Sequence, residues 1–204
     1  MKKNLIVICL VLAALTILVG CGGAAKYPNY YTLHLPPPPD PPAPESVRAC
    51  LAVREFRSPP YLRQGAIVYK TSPEQIGFYN YHRWALDPRE FVTTAVTERL
   101  RASGNFTQVR LYDGRSDVDY VLSGRLEKLE EVDYGGAVKV EVAISAQMTN
   151  LASGATVWTN EASEVGTVQK RDVPAVVAEM NAIMGRAIEK LLTPAPSASG
   201  TRTN

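Results

Sequence analysis

Ala137-Val138-Lys139-Val140-Glu141-Val142-Ala143-Ile144-Ser145-Ala146-Gln147-Met148-Thr149 places Val138, Val140, Val142, Ile144, Ala146 and Met148 on one face with period two. That period is the pattern of a strand with one buried side. Gly135-Gly136 stands just before it, and residues 119–133 form a second β-prone arm before the glycines, so the stretch reads as a long hairpin. The first arm changes apolar phase between Leu126 and Leu129, which predicts a bulge or exposure of its distal end. Glu127, Glu130, Glu131 and Asp133, with Lys128 among them, crowd that end and read as a solvated acidic patch. General acid/base catalysis would need two carboxylates held across a cleft.

Working outward toward the C-terminus, Ala152-Ser153-Gly154 marks a turn, and residues 156–163 a further strand. A helix follows from about Val173 with Asp172 as cap, and Val173, Val176, Val177, Met180, Ile183, Met184, Ala187, Ile188 and Leu191 form its wide apolar stripe. Burial against a sheet explains that stripe, and a partner-docking helix is the alternative. The residues after Thr193 are small and polar and are expected to be disordered. Toward the N-terminus, Asp87-Pro88-Arg89-Glu90 is a helix start, with Asp87 as cap, Pro88 at the first helical position and Glu90 able to reach back to the cap amide. Phe91, Val92, Ala95, Val96 and Leu100 supply the apolar face, Gly104 a left-handed stop, and residues 106–111 a strand. Ile67–Lys70 and Phe78–Tyr81 flank the Ser72-Pro73-Glu74 turn as a second hairpin. Val47, Ala49, Leu51 and Val53 alternate as a strand, with Cys50 and Ala52 on its other side. Several strands and two main helices predict a single α+β domain, its antiparallel or mixed sheet carrying both helices on one face.

The beginning of the chain has a different character. Met1-Lys2-Lys3 precedes about fifteen apolar residues from Leu5 to Val19, then Leu18-Val19-Gly20-Cys21, which is the form of a bacterial lipoprotein processing site. The apolar run is shorter than the roughly twenty residues of a permanent span; an uncleaved signal anchor is the alternative. Diacylglyceryl and acyl chains on Cys21, each buried methylene contributing about 0.8 kcal/mol, would anchor the chain stably. Gly22 after the cysteine favours the outer membrane, facing the periplasm. The expected organisation is a signal peptide over residues 1–20, a lipidated N-terminus and proline-rich spacer over 21–46, the domain over 47–192 and a tail over 193–204. Pro36 to Pro44 reads as a stiff polyproline spacer at about 3.1 Å per residue; a ligand for a proline-recognition domain is the sharper alternative. Tyr30-Tyr31-Thr32-Leu33, ahead of it, is β-prone enough to pair with a sheet edge.

Charge and chemistry narrow the function. Of 22 basic residues, Lys2 and Lys3 leave with the signal, so 20 face 20 acidic residues and nothing draws the mature chain to nucleic acid. Cys9 also leaves and Cys21 is alkylated, so Cys50 has no intramolecular disulfide partner and reads as a small buried hydrophobe. His34 and His82 fit no metal-ligand spacing, and no Gly-x-Ser-x-Gly elbow occurs. Residues 65–71 resemble a phosphate loop only superficially, since Tyr69 stands where a second glycine belongs; the segment reads as a strand. No cofactor beyond the covalent lipid is expected. The functional surface predicted is aromatic: Tyr61, Phe78, Tyr79, Tyr81 and Trp84 concentrate in a turn-rich region, where rings with polar tips suit a protein or lipid interface. Core filling beneath the first helix is the alternative for Trp84 and alternate tyrosines.

Tyr30-Tyr31-Thr32-Leu33, Pro60-Tyr61-Leu62 with Ile67-Val68-Tyr69, residues 79–85 (Tyr-Asn-Tyr-His-Arg-Trp-Ala) with Asp87-Pro88, and Leu100-Arg101-Ala102-Ser103-Gly104-Asn105-Phe106 running into Val109 resemble the ABC-type transport auxiliary lipoprotein family. The resemblance implies a non-enzymatic accessory of an MCE-type system, in which an inner-membrane ABC transporter and a periplasmic MCE-domain protein move lipids between membranes. The lipoprotein would dock or receive at the outer membrane; a homo-oligomer is compatible with that role. A structural envelope lipoprotein binding peptidoglycan or an assembly complex, and a hydrolase with an unrecognised site, are the other classes.

Overall fold

The computed structural model describes residues 26–38, 49–114 and 117–197. The predicted signal peptide, Cys21, most of the proline run and the last seven residues lie outside them. In chain order the elements are β1 (Asn29–Tyr31), β2 (Cys50–Val53), a 3-10 turn (Pro60–Arg63), β3 (Ala66–Ser72), β4 (Gln75–Trp84), α1 (Pro88–Ala102), β5 (Gln108–Leu111), β6 (Tyr120–Val132), β7 (Lys139–Asn150), β8 (Thr156–Thr167) and α2 (Val173–Leu191). The eight strands form one mixed sheet, and both helices lie on one side of it, so the α+β expectation holds.

The long hairpin is the spine. β6 and β7 pair antiparallel from Tyr120↔Asn150 to Val132↔Lys139, and β8 extends them along β7. The other edge of β6 is shared: β2 runs parallel to its first residues, Arg57 bridges Arg125 midway, and β3 runs parallel to Glu131 and Val132. β5 completes one end beside β2, and β4 then β1 complete the other.

The predicted bulge exists. Register shifts between Leu126 and Lys128, so that Leu126 opposes Ile144 and Leu129 opposes Val142 on the same helix-facing side. The distal end is not exposed, however, and the solvated acidic patch is overturned: Glu130 and Glu131 are buried, at 0% and 5% exposure. Strand β3 and its neighbours cover the edge of β6 that the isolated hairpin would show to water.

All nine residues of the predicted α2 stripe are buried, against β7 and β8. Each of these burials except that of the small Ala187 stabilises by roughly 1.5–3 kcal/mol before entropy is counted. Asp172 caps α2 by accepting from the Ala175 amide. Asp87 caps α1 by accepting from the Arg89 amide at 2.9 Å, and the reciprocal side-chain contact comes from the Arg89 guanidinium rather than from Glu90. Cys50 and Ala52 do face away from the main core, yet Ala52 is buried there in a small second cluster with Val118 and Val121.

Two terminal expectations are corrected. Tyr30 and Tyr31 do join the sheet, parallel to β4, but Leu33 is buried and the His34 amide donates to Asn181 Oδ1 on α2 at 2.6 Å. Gly185 admits Leu35 against α2, since a Cβ there would stand 3.0 Å from Leu35 Cδ2. The domain therefore includes residues 29–35. The proline run connects β1 to β2 of the same sheet and does not separate Cys21 from the domain. At the other end, Pro194 and Pro196 accept hydrogen bonds from Trp158 and Asn105, so the packed chain extends beyond Thr193.

Candidate functional site

The five predicted aromatic residues do not form one surface. Trp84 is 7% exposed and belongs to the core, and Phe78 packs against it. Tyr81 is 46% exposed, with the Lys26 ammonium 5.7 Å above its ring. Tyr61 and Tyr79 are half-buried and turn their hydroxyls onto the carboxylates of β6.

Those carboxylates lie on opposite sides of the sheet, because they are adjacent in a strand. Glu131 opposes Val140 and Tyr69 on the helix-facing side. Its Oε2 accepts from the Tyr79 hydroxyl at 2.8 Å. Burial pushes this carboxyl above its ordinary value, with Asp133 adding to the effect, while the Tyr79 hydrogen bond and Arg171 pull the other way. The same burial, with Glu131 beside it, pushes the Tyr79 phenol up. Glu130 opposes Glu141 on the open side, where Lys70 Nζ stands 3.1 Å from Oε1, off the line of a hydrogen bond, and the Tyr61 hydroxyl donates to Oε2 at 3.4 Å. Burial, then the Glu130 charge, pushes Tyr61 up to about 12.

From Glu131 the polar contacts continue outward. Tyr79 packs on Tyr69 with centroids 4.9 Å apart and meets the His82 ring edge-on at 5.7 Å. His82 Nδ1 and the Tyr31 hydroxyl are hydrogen-bonded at 2.8 Å. This ladder ties β6 to the edge strand β1. Within it the Tyr79 phenol, raised by burial and by Glu131, stays protonated at neutral pH. The ladder holds the sheet edge in place.

Sequence reasoning missed two groupings: Tyr31, Tyr69 and His82 with Glu131 on one side of the sheet, and Lys70 with Glu130 on the other. The phase change at Leu126–Leu129 was the available signal, because correcting the register by one residue turns Glu131 inward with Leu129.

The open side of the sheet carries a furrow of about 410 Å³ lined by Arg54, Arg57 and Arg125, against a single acidic residue, Glu55, with Ser123, Ser145 and Gln147. Arg57 and Arg125 are bridge partners, so two like charges stand side by side. The Arg54 guanidinium lies 4.5 Å over the Tyr112 ring, and Arg125 Nε donates to Glu127 at 2.9 Å. Such a polar, basic surface, with hydroxyls along its floor, suits an acidic protein surface or an anionic headgroup.

The fold is shared with solved structures. A protein from Xanthomonas campestris of the DUF330 family superposes with a TM-score of 0.69 at 17% identity, covering 80% of this chain and 92% of that one. An uncharacterised protein superposes at 0.64 and 16% identity, covering 83% and 99%. No curated protein sequence matches. The family model for the ABC-type transport auxiliary lipoprotein component matches residues 31–191, beginning within β1 and ending at the last residue of α2. This chain belongs to that family of ABC-type transport auxiliary lipoproteins.

Proposed function

We propose that the chain is the lipid-anchored accessory subunit of an MCE-type ABC transport system, docking or receiving at the outer membrane while a periplasmic MCE-domain protein and its inner-membrane ABC transporter move lipid. The observation that carries this reading is the position of β1. Eight residues after Cys21 the chain is already a strand of the sheet, with its next residues held on α2. An anchor built into the sheet in this way transmits load from the membrane to the domain. The basic furrow lies on the side without helices and is the surface offered to the periplasmic partner. Nucleotide hydrolysis belongs to the transporter, and this chain contributes attachment and orientation.

The test is crosslinking in cells, purification of the lipidated full-length protein from membranes, and mass spectrometry of what is attached. Recovery of an MCE-domain protein is expected. Recovery of only peptidoglycan-associated or outer-membrane assembly proteins would replace this reading with that of a structural envelope lipoprotein.

A further inference from the structure

Among the described residues the most exposed large apolar side chain is Tyr27, at 84%, and Tyr30 follows at 63%. Both sit on the segment that leads from Cys21 into the sheet. Tyr81, at 46%, is next to them: His82 opposes Asn29 in the β1–β4 register, and the Lys26 ammonium lies 5.7 Å from the Tyr81 ring. Three exposed phenols and one cation thus gather at a single sheet edge. The hydroxyl network described above explains Tyr31, Tyr69 and Tyr79, which turn inward, but not these three.

We infer that Tyr27, Tyr30 and Tyr81, with Lys26, form a membrane-contacting edge that rests in the phospholipid headgroup layer holding the Cys21 lipid. The inference depends on lipidation at Cys21 and deepens the reading of the chain as an anchored subunit.

Chain length fixes the neighbourhood. Five residue steps separate Cys21 from Lys26, and the intervening Gly22-Gly23-Ala24-Ala25 carries no bulky side chain. At no more than about 3.6 Å per residue, Lys26 lies within about 18 Å of the anchored cysteine. The domain is therefore held within reach of the surface, with its exposed aromatic edge at the point of attachment.

Direction agrees with distance. β1 runs parallel to β4, so the chain traced back from Asn29 toward Cys21 heads along β4 toward the Pro73–Glu74 turn. β3 runs parallel to the end of β6, which brings the Tyr134–Gly136 hairpin tip to the same end of the sheet. Ile76 beside the first turn and Tyr134 at the second are also exposed, at 38% and 36%. Large apolar side chains therefore continue toward the end of the sheet from which β1 enters.

The chemistry suits lipid headgroups. A tyrosine ring is apolar in body and polar at its tip, and such rings concentrate at the membrane interface. A lysine beside them places its ammonium at phosphate level, where attraction adds to ring burial. One acyl-anchored cysteine leaves the domain free to rotate about its tether; a second contact of this kind fixes which side of the sheet faces the periplasm.

Hydroxyl-radical footprinting with mass spectrometry tests this on the full mature chain. The lipidated protein is reconstituted in vesicles of three parts phosphatidylethanolamine to one of phosphatidylglycerol, and compared with the Cys21→Ser chain without vesicles. The mass of the N-terminal peptide reports the lipid on Cys21. We expect Tyr27, Tyr30 and Tyr81 to be oxidised at least about five-fold more slowly in the vesicles, while Leu111 and Val165, exposed elsewhere, react equally in both. In the lipidated Tyr27→Ser/Tyr81→Ser protein, Tyr30 should lose at least half of its protection. Equal tyrosine rates with Cys21 shown to be diacylated would overturn the inference and leave the anchored reading standing. Protection already present in the Cys21→Ser chain would also overturn it, since the edge would then be covered by protein. An unmodified Cys21 would remove the anchor itself, and the inference with it.

Discussion

The Tyr79 hydroxyl donates to Glu131 Oε2 at 2.8 Å, joining β4 to β6 across the intervening β3. This bond supplies the partner that a carboxylate on the helix-facing side of a sheet requires. Tyr79→Phe leaves Glu131 with one acceptor unpaired, a loss of about 1–3 kcal/mol. Urea unfolding should show the lower midpoint with an unchanged slope. An unchanged midpoint would mean that water replaces the hydroxyl.

Glu131 also sets a pH dependence. Its carboxyl is raised above 4.5 mainly by burial, so the folded chain holds this proton more tightly than the unfolded chain does. Between the unfolded and folded values the folded state binds more protons, and stability falls as pH rises through that window. Glu131→Gln keeps an acceptor for Tyr79 and removes the ionisation. The variant should be more stable than wild type at pH 7–8 and converge with it near pH 4, where both carry a neutral side chain.

Asp87 has the opposite sign. Burial pushes its carboxyl up, but hydrogen bonds from the Arg89 side chain and amide, with the Arg89 charge, outweigh this and hold it below 3.8. Its contribution is present above 3.8 and lost as pH falls through the folded value. Asp87→Ala should cost about 1 kcal/mol at pH 7 through loss of the α1 cap, and less at pH 3, by thermal unfolding at the two pH values.

Gly124 is held by packing. A Cβ there would stand 2.2 Å from the ring of Phe56, which is fully buried. Gly124→Ala should destabilise by about 1–3 kcal/mol as the ring is displaced, whereas Gly135→Ala, with open space around it but a φ of +79°, carries only the cost of a left-handed backbone. If Gly124→Ala unfolds at the wild-type temperature, the seating of Phe56 over β6 is wrong.

The basic furrow gives a functional prediction. Arg57→Glu with Arg125→Glu reverses two exposed charges outside the core and should leave the melting temperature within a few degrees of wild type. Crosslinking to the periplasmic partner should fall at least ten-fold, with the single variants intermediate. Retained crosslinking would place the partner elsewhere on the domain.

Much of the fold was legible because it is periodic. Val138 to Met148 and Val173 to Leu191 announce a half-buried strand and a one-sided helix, and both occur where their patterns lie. The bulge at Leu126–Lys128 was readable from the same periodicity. What it does to Glu130 and Glu131 was not, because their burial depends on β3 and the 3-10 turn, which reach β6 from more than fifty residues away. Nor was the docking of Leu33 to Leu35 legible, since a short apolar stretch beside a proline run carries no period. The aromatic residues meet a similar limit: residue type marks Tyr81 and Trp84 alike, and the packing of the sheet leaves the first ring exposed while it buries the second.

The central claim is that this lipoprotein offers its open sheet face to a transport partner, and site-specific photo-crosslinking in living cells tests it most directly. A photoreactive residue at Gln147, on the floor of the furrow, should capture a periplasmic MCE-domain protein, while one at Leu111, on the outermost strand of the sheet, should not. Capture of such a protein from neither position, with peptidoglycan-binding or assembly proteins recovered instead, would contradict the account.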